Sequence, residues 1–192
     1  MASLVLGAMA YACAICFDLA ALARRKKLKR LAGLLALISF SSAVVCAILV
    51  GPILAVPWFL SILGWPLMAI AAALLLYSLF LELPFTNTYV AHDAPSALVQ
   101  TGTYALTRHP GVLWLGFFLL GAVLASRSYT LLWAALLWWG LDFVYAWWQD
   151  QWLFPRQFPD YRAYQRETPM FLPTRASIRR CLKTLGRRLP ET

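Results

Sequence analysis

Apolar residues run through this chain in five blocks, at about 2–23, 31–50, 58–82, 111–126 and 128–148. The stretches 31–50 and 58–81 contain no charged residue at all. A helix needs about 20 such residues to cross the hydrocarbon core of a bilayer. The pattern therefore predicts an all-α polytopic membrane protein with about five transmembrane helices. The fourth block is short, and little more than Arg127 separates it from the fifth, which predicts a tight antiparallel hairpin that falls short of a full crossing. The first block resembles a signal sequence around Ala12-Cys13-Ala14. Its basic run follows the apolar stretch rather than preceding it, so it reads as a retained helix.

Composition sharpens this. Of 192 residues, 61% are hydrophobic and 13% charged, with mean hydropathy +0.67. Soluble domains carry about a quarter charged residues, so a water-soluble globule is excluded, and so is disorder. The net charge of +9, from 17 basic and 8 acidic residues, would suggest nucleic acid in a soluble protein. Here the placement of the cations matters more. Between blocks one and two lie Arg24, Arg25, Lys26, Lys27, Lys29 and Arg30; Arg108 precedes block four, Arg127 separates blocks four and five, and the rest follow block five. With five crossings, every basic residue except Arg127 falls on one side, which predicts an N-terminus outside and a C-terminus in the cytoplasm. Cys13 and Cys16 form a C-x-x-C pair without a second ligand pair; with Cys46 they lie in apolar blocks, so neither a disulfide framework nor a metal site is expected.

Three regions follow: 1–83 with the first three helices, 84–173 with two long polar segments around a helical hairpin, and a tail at 174–192. In the tail, Ile178, Cys181, Leu182, Leu185 and Leu189 recur at helical spacing among six basic residues. That is the pattern of a basic amphipathic helix on an anionic membrane surface, weakened at Gly186.

Chemistry concentrates in two runs. One is 98–110, ending Gly102-Thr103-Tyr104-Ala105-Leu106-Thr107-Arg108-His109-Pro110. Pro110 suits the first turn of a helix, whose remaining N–H groups and dipole favour an anion. Arg108 adds a planar cationic fork suited to a carboxylate, His109 a tunable donor or acceptor, Gly102 a turn and Tyr104 a flat face. Together they are suited to a small zwitterion carrying an aromatic ring. The other run holds Gln149-Asp150-Gln151-Trp152-Leu153, Phe158-Pro159-Asp160-Tyr161-Arg162-Ala163-Tyr164 and a Pro-containing end at 168–173.

Gly102, Tyr104, Arg108, His109, Pro110, Leu153, Phe158, Tyr161 and Tyr164 match in order and spacing a family of membrane enzymes. Over about 84–173 the chain resembles the isoprenylcysteine carboxyl methyltransferase and phospholipid methyltransferase family. It departs at Gln149-Asp150, where the family has a Glu pair, and at Val112 and Pro159. The resemblance implies S-adenosylmethionine bound at the cytosolic face beneath a C-terminal lid, with a lipophilic or small membrane-permeant methyl acceptor reaching it from the bilayer. It also implies that Gly102, Tyr104, Arg108, His109, Pro110, Asp150, Tyr161 and Tyr164 hold the cofactor. The membrane would be the plasma membrane of a bacterium or the endoplasmic reticulum of a eukaryote.

Asp142 lies inside helix five among Leu141, Phe143 and Val144, where a charge is costly and often functional. Gln149 is seven residues on, on the same helix face, so Asp142 and Gln149 are expected to face the substrate as its catalytic contacts, against the alternative that Asp142 bonds a neighbouring helix. Asp18 and Glu82, near helix ends, are expected at the membrane interface, and His92-Asp93 in solvent. Two other functions compete: a family scaffold kept as a membrane binding or assembly module, for which the altered Glu pair speaks, and a membrane reductase using NADPH, against which stands the lack of a phosphate-binding basic cluster in the two runs.

Overall fold

The computed structural model describes residues 1–83 and 98–185. Three long helices come first: α1 (Ala2–Leu22), α2 (Lys26–Leu49) and α3 (Trp58–Leu76), the last continuing through a π-helical segment, Tyr77–Glu82. A single turn, α4 (Thr103–Leu106), leads into α5 (Pro110–Ser126) and α6 (Tyr129–Trp148), and α6 runs on through a second π-helical segment, Gln149–Leu153. Short helices α7 (Phe154–Gln157) and α8 (Tyr161–Glu167) and a last helix α9 (Arg175–Thr184) complete the described chain. Among the described residues four helical runs are long and apolar enough to cross a membrane, and α5, with 17 residues, is shorter. At 1.5 Å per residue α5 is about 26 Å long, below the roughly 30 Å of a hydrocarbon core. The protein is an all-α polytopic membrane protein, and its fourth apolar block forms the expected short hairpin with the fifth.

The helix boundaries have local causes. Arg127 takes a left-handed conformation (φ +54°) to end α5. Ser128 then caps α6, its Oγ accepting from the Leu131 N–H (3.1 Å) and donating to the Ala47 carbonyl (2.6 Å) at the end of α2. At this end the 52–54 segment also joins the hairpin, the Leu54 N–H donating to the Arg127 carbonyl (2.6 Å). Helix α2 begins at Lys26, earlier than its apolar block. The basic run supplies its first turns, and Lys29 is buried with its ammonium 5.2 Å from the Phe17 ring.

Packing pairs α1 with α2 and α3 with α5, while α6 lies against α1, α2 and α5. Trp138 on α6 is fully buried at the centre of the apolar core, among Ala43, Ala47, Leu119, Leu131 and Ala134. Small residues set the α3–α5 distance. A Cβ at Gly121 would stand 2.5 Å from the Met68 N, and one at Gly64 2.5 Å from the Ala125 N. With lipid outside offering the same apolar environment, such close backbone approach is what holds membrane helices together. The tail helix is not a free surface element: Ser177 is buried, α9 packs on α4, and the Gly102 N–H donates to Thr184 Oγ1 (2.9 Å). Its other side exposes Ile178 and Leu182. The 186–192 end of the expected amphipathic helix and His92-Asp93 lie outside the described residues.

Candidate functional site

A cavity of about 570 Å³ opens among the helices at the end of the bundle where α1 and α6 finish and α5 begins. That is within the range of small-molecule sites. Its rim and depth have different makers. The rim is built by the two polar runs: Tyr104, His109 and Pro110 on one side, Tyr161 and Tyr164 on the other. The depth is built by Tyr11 and Phe40 of the first two helices and by Asp142 of α6, with Asp18 of α1 nearer the rim.

The two runs meet through Asp150. Its carboxylate is fully buried and takes a two-pronged contact from Arg108, Nε to Oδ1 at 2.7 Å and Nη2 to Oδ2 at 3.0 Å. It also accepts from the Tyr161 hydroxyl (2.7 Å) and from the side-chain amides of Gln151 and Gln165 (both 2.9 Å). Arg108 Nη1 donates to the carbonyls of Gln165 (3.0 Å) and Thr168 (2.6 Å). Backbone bonds close the same seam: the Arg108 N–H donates to the Pro169 carbonyl (2.9 Å) and the His109 N–H to the Met170 carbonyl (3.3 Å). Tyr164 adds a bond from its hydroxyl to the Tyr104 carbonyl (2.5 Å).

This geometry corrects part of the expectation from sequence. Asp150 does not face the cavity; its oxygens are consumed inside the protein. Arg108 borders the cavity, but its fork is occupied by Asp150 and two carbonyls rather than open to a ligand carboxylate. The amides before α5 are likewise bonded to the 169–170 backbone. Gly102 also stands away from the wall. Its φ of +59° makes the expected turn, and a side chain there would collide with the Glu82 carboxylate, which accepts from the Thr103 N–H (2.9 Å) and hydroxyl. Glu82 thus serves as a cap for α4.

His109 is 7% exposed, packed flat against Phe154 with ring centres 5.7 Å apart and tilted against Phe171. Its Nε2 has no hydrogen-bond partner among the described residues and lies 3.5 Å from Asp150 Oδ1, too far for a good bond. Burial pushes the imidazole below its ordinary pKa; Asp150 pulls it back up, while Arg108 adds to the lowering. Burial likewise pushes the phenols of Tyr161 and Tyr164 up, so both stay protonated donors.

Asp142 and Gln149 both reach the cavity, as their spacing predicts. They differ in partners. The Gln149 side-chain amide donates to Asp18 Oδ2 (2.8 Å), and the Tyr145 hydroxyl donates to the same oxygen (2.5 Å). Asp18 is therefore a buried link between α1 and α6. Asp142 has no hydrogen bond or ion pair among the described residues. Sequence reasoning missed Tyr11, Asp18 and Lys29, which line the cavity from α1 and α2. For Tyr11 and Asp18 the available signal was a lone polar residue in an apolar helix; Lys29 is one of a run of six cations, and nothing in the sequence sets it apart. Among the described residues no cluster of His, Cys, Asp or Glu is arranged to hold a metal.

Comparison with known proteins adds no relative: no protein-family model, curated protein or solved structure matches the chain.

Proposed function

We propose that this chain is an integral membrane methyltransferase using S-adenosylmethionine and acting on a lipophilic or small membrane-permeant acceptor. The observation that carries the reading is a single cavity whose rim is made by the Arg-His-Pro corner together with the paired-tyrosine helix, and whose depth reaches between apolar helices. Bound there, the cofactor supplies an activated methyl group on a cationic sulfur.

The residues fit that group in part. Tyr104, Tyr161 and Tyr164 offer rings for a flat base and for a cation. The orphaned His109 Nε2 offers an acceptor, or a donor in the other tautomer, beside the rim. Arg108 and Asp150 act through the others: their ion pair fixes His109 and Tyr161 relative to each other. Methyl transfer asks for alignment in a water-poor pocket more than for covalent help from the protein. Asp142 lies on the deep side, toward the acceptor, and Gln149 between it and the rim. The cation-rich α1–α2 corner sits at the same end of the bundle as the cavity and Arg127 at the other, a bias that supports a site facing the cytoplasm.

A second reading, a membrane binding or assembly module, draws on the occupied Arg108 fork. One experiment separates the two. Purified full chain in neutral maltoside micelles is titrated with S-adenosylmethionine and then assayed for transfer of its labelled methyl to a lipid extract. Micromolar binding that His109→Gln weakens by about tenfold, with transfer, is the expected result. Binding without transfer favours the module, and no saturable binding at millimolar ligand overturns the methyltransferase reading.

A further inference from the structure

The deep part of the cavity holds two polar groups that no described residue satisfies. Asp142 of α6 lines it with a carboxylate that no described residue bonds. Tyr11 of α1 lines it too, and its buried hydroxyl has no partner among the described residues. The two are electrostatic neighbours, yet no bond joins them. The other nearby donors are spent further out, where Tyr145 and Gln149 both bond Asp18. An unpaired carboxylate within a membrane bundle is costly, and such residues mark ligand or ion pathways.

The surroundings say what the ligand is. Tyr11 stands edge-on to Phe40 (ring centres 6.4 Å apart) and to Tyr145 (6.2 Å), so aromatic rings flank the carboxylate. Ala10, Ala14, Leu75 and Leu115 make the remaining wall apolar. Aromatic rings with one carboxylate suit a cation, and apolar walls suit the body that carries it. Along α6, Asp142 lies seven residues before Gln149, or about 10 Å further into the bundle. This places it well below the His109 corner.

We propose that Asp142, Tyr11 and the flanking rings form a binding site for the ammonium group of a lipophilic amine. The inference rests on the methyltransferase reading only in that the amine would then be the acceptor; binding itself requires no cofactor.

The test uses dodecyltrimethylammonium and dodecanol, which share a chain and differ in charge, on the full-length protein in neutral maltoside micelles without S-adenosylmethionine. The quaternary head keeps its charge at every pH. Saturable binding of the ammonium, about tenfold tighter than the alcohol, is expected, with Asp142→Asn removing that preference and Tyr11→Phe weakening it several-fold. Equal binding of the alcohol, or an affinity unchanged in both variants, overturns the proposal. So does displacement of the probe by S-adenosylmethionine but not by S-adenosylhomocysteine, which would assign Asp142 to the sulfonium instead. Failure of S-adenosylmethionine to bind while the ammonium still does would sink the methyltransferase reading alone.

Discussion

Asp150 and Asp142 lie eight residues apart on one helical run, and their surroundings are opposite. Asp150 is fully buried and meets Arg108, Tyr161, Gln151 and Gln165. Asp142 faces a cavity and has no hydrogen bond or ion pair with any described residue. A saturated carboxylate is part of what holds the fold, whereas an unsatisfied one costs stability and is explained by what it binds. The contrast divides the site into a rim that is braced from within and a depth that waits for a partner.

The division breaks most visibly at Asp150. Asp150→Ala leaves the Arg108 guanidinium, 10% exposed, without its counter-charge and strips the Tyr161 hydroxyl of its acceptor. Removing one partner of a buried pair costs about 3–5 kcal/mol. Thermal unfolding in maltoside micelles should show a large fall in midpoint, with the 161–173 segment becoming open to proteolysis. An Asp150→Ala protein as stable as the wild type would mean that the seam between α5 and the C-terminal segment is held by something else.

Asp142 should respond with the opposite sign. Asp142→Asn keeps the shape and removes a charge that no described residue stabilises, so the protein should gain on the order of 1 kcal/mol in the same unfolding experiment, while losing ammonium binding. A clear destabilisation would show that Asp142 has an internal role and would erase the contrast with Asp150.

Much of this architecture was legible in the residues. The apolar blocks become helices within a few positions, because a bilayer leaves a 20-residue apolar run little else to form. The short hairpin was written in the length of block four and in Arg127. At the site, Tyr104, Arg108, His109, Pro110, Asp142, Gln149, Tyr161 and Tyr164 all border the cavity. Asp150 and Gly102 do not, for reasons that residue type does not carry. The wide turn at Gln149–Leu153 sits where α-helical spacing stops predicting faces, and there Gln149 looks into the cavity while Asp150 is fully buried. Arg108 is filled by carbonyls at Gln165 and Thr168, and any residue has a carbonyl. Tyr11 and Asp18 were hard to place because an apolar helix in lipid has no polar face to tell inside from outside.

His109 joins the two halves of the comparison, since it is packed by the rim yet keeps one nitrogen that no described residue hydrogen-bonds. Its imidazole is held below the ordinary value of about 6.5 chiefly by burial. The neutral form therefore belongs to the folded protein, and the unfolded chain binds the proton more readily. Stability from this group is complete above pH 6.5 and is lost as the pH falls below it toward the lower folded pKa, because there the unfolded state takes up more protons. His109→Gln removes the group from that balance. The difference in unfolding midpoint between wild type and His109→Gln should thus be constant from pH 8 to about 7 and should shift in favour of the variant as the pH drops toward 5. A difference that stays flat throughout would mean that Asp150, 3.5 Å away, offsets the burial, and that the rim carries no neutral histidine for a ligand to meet.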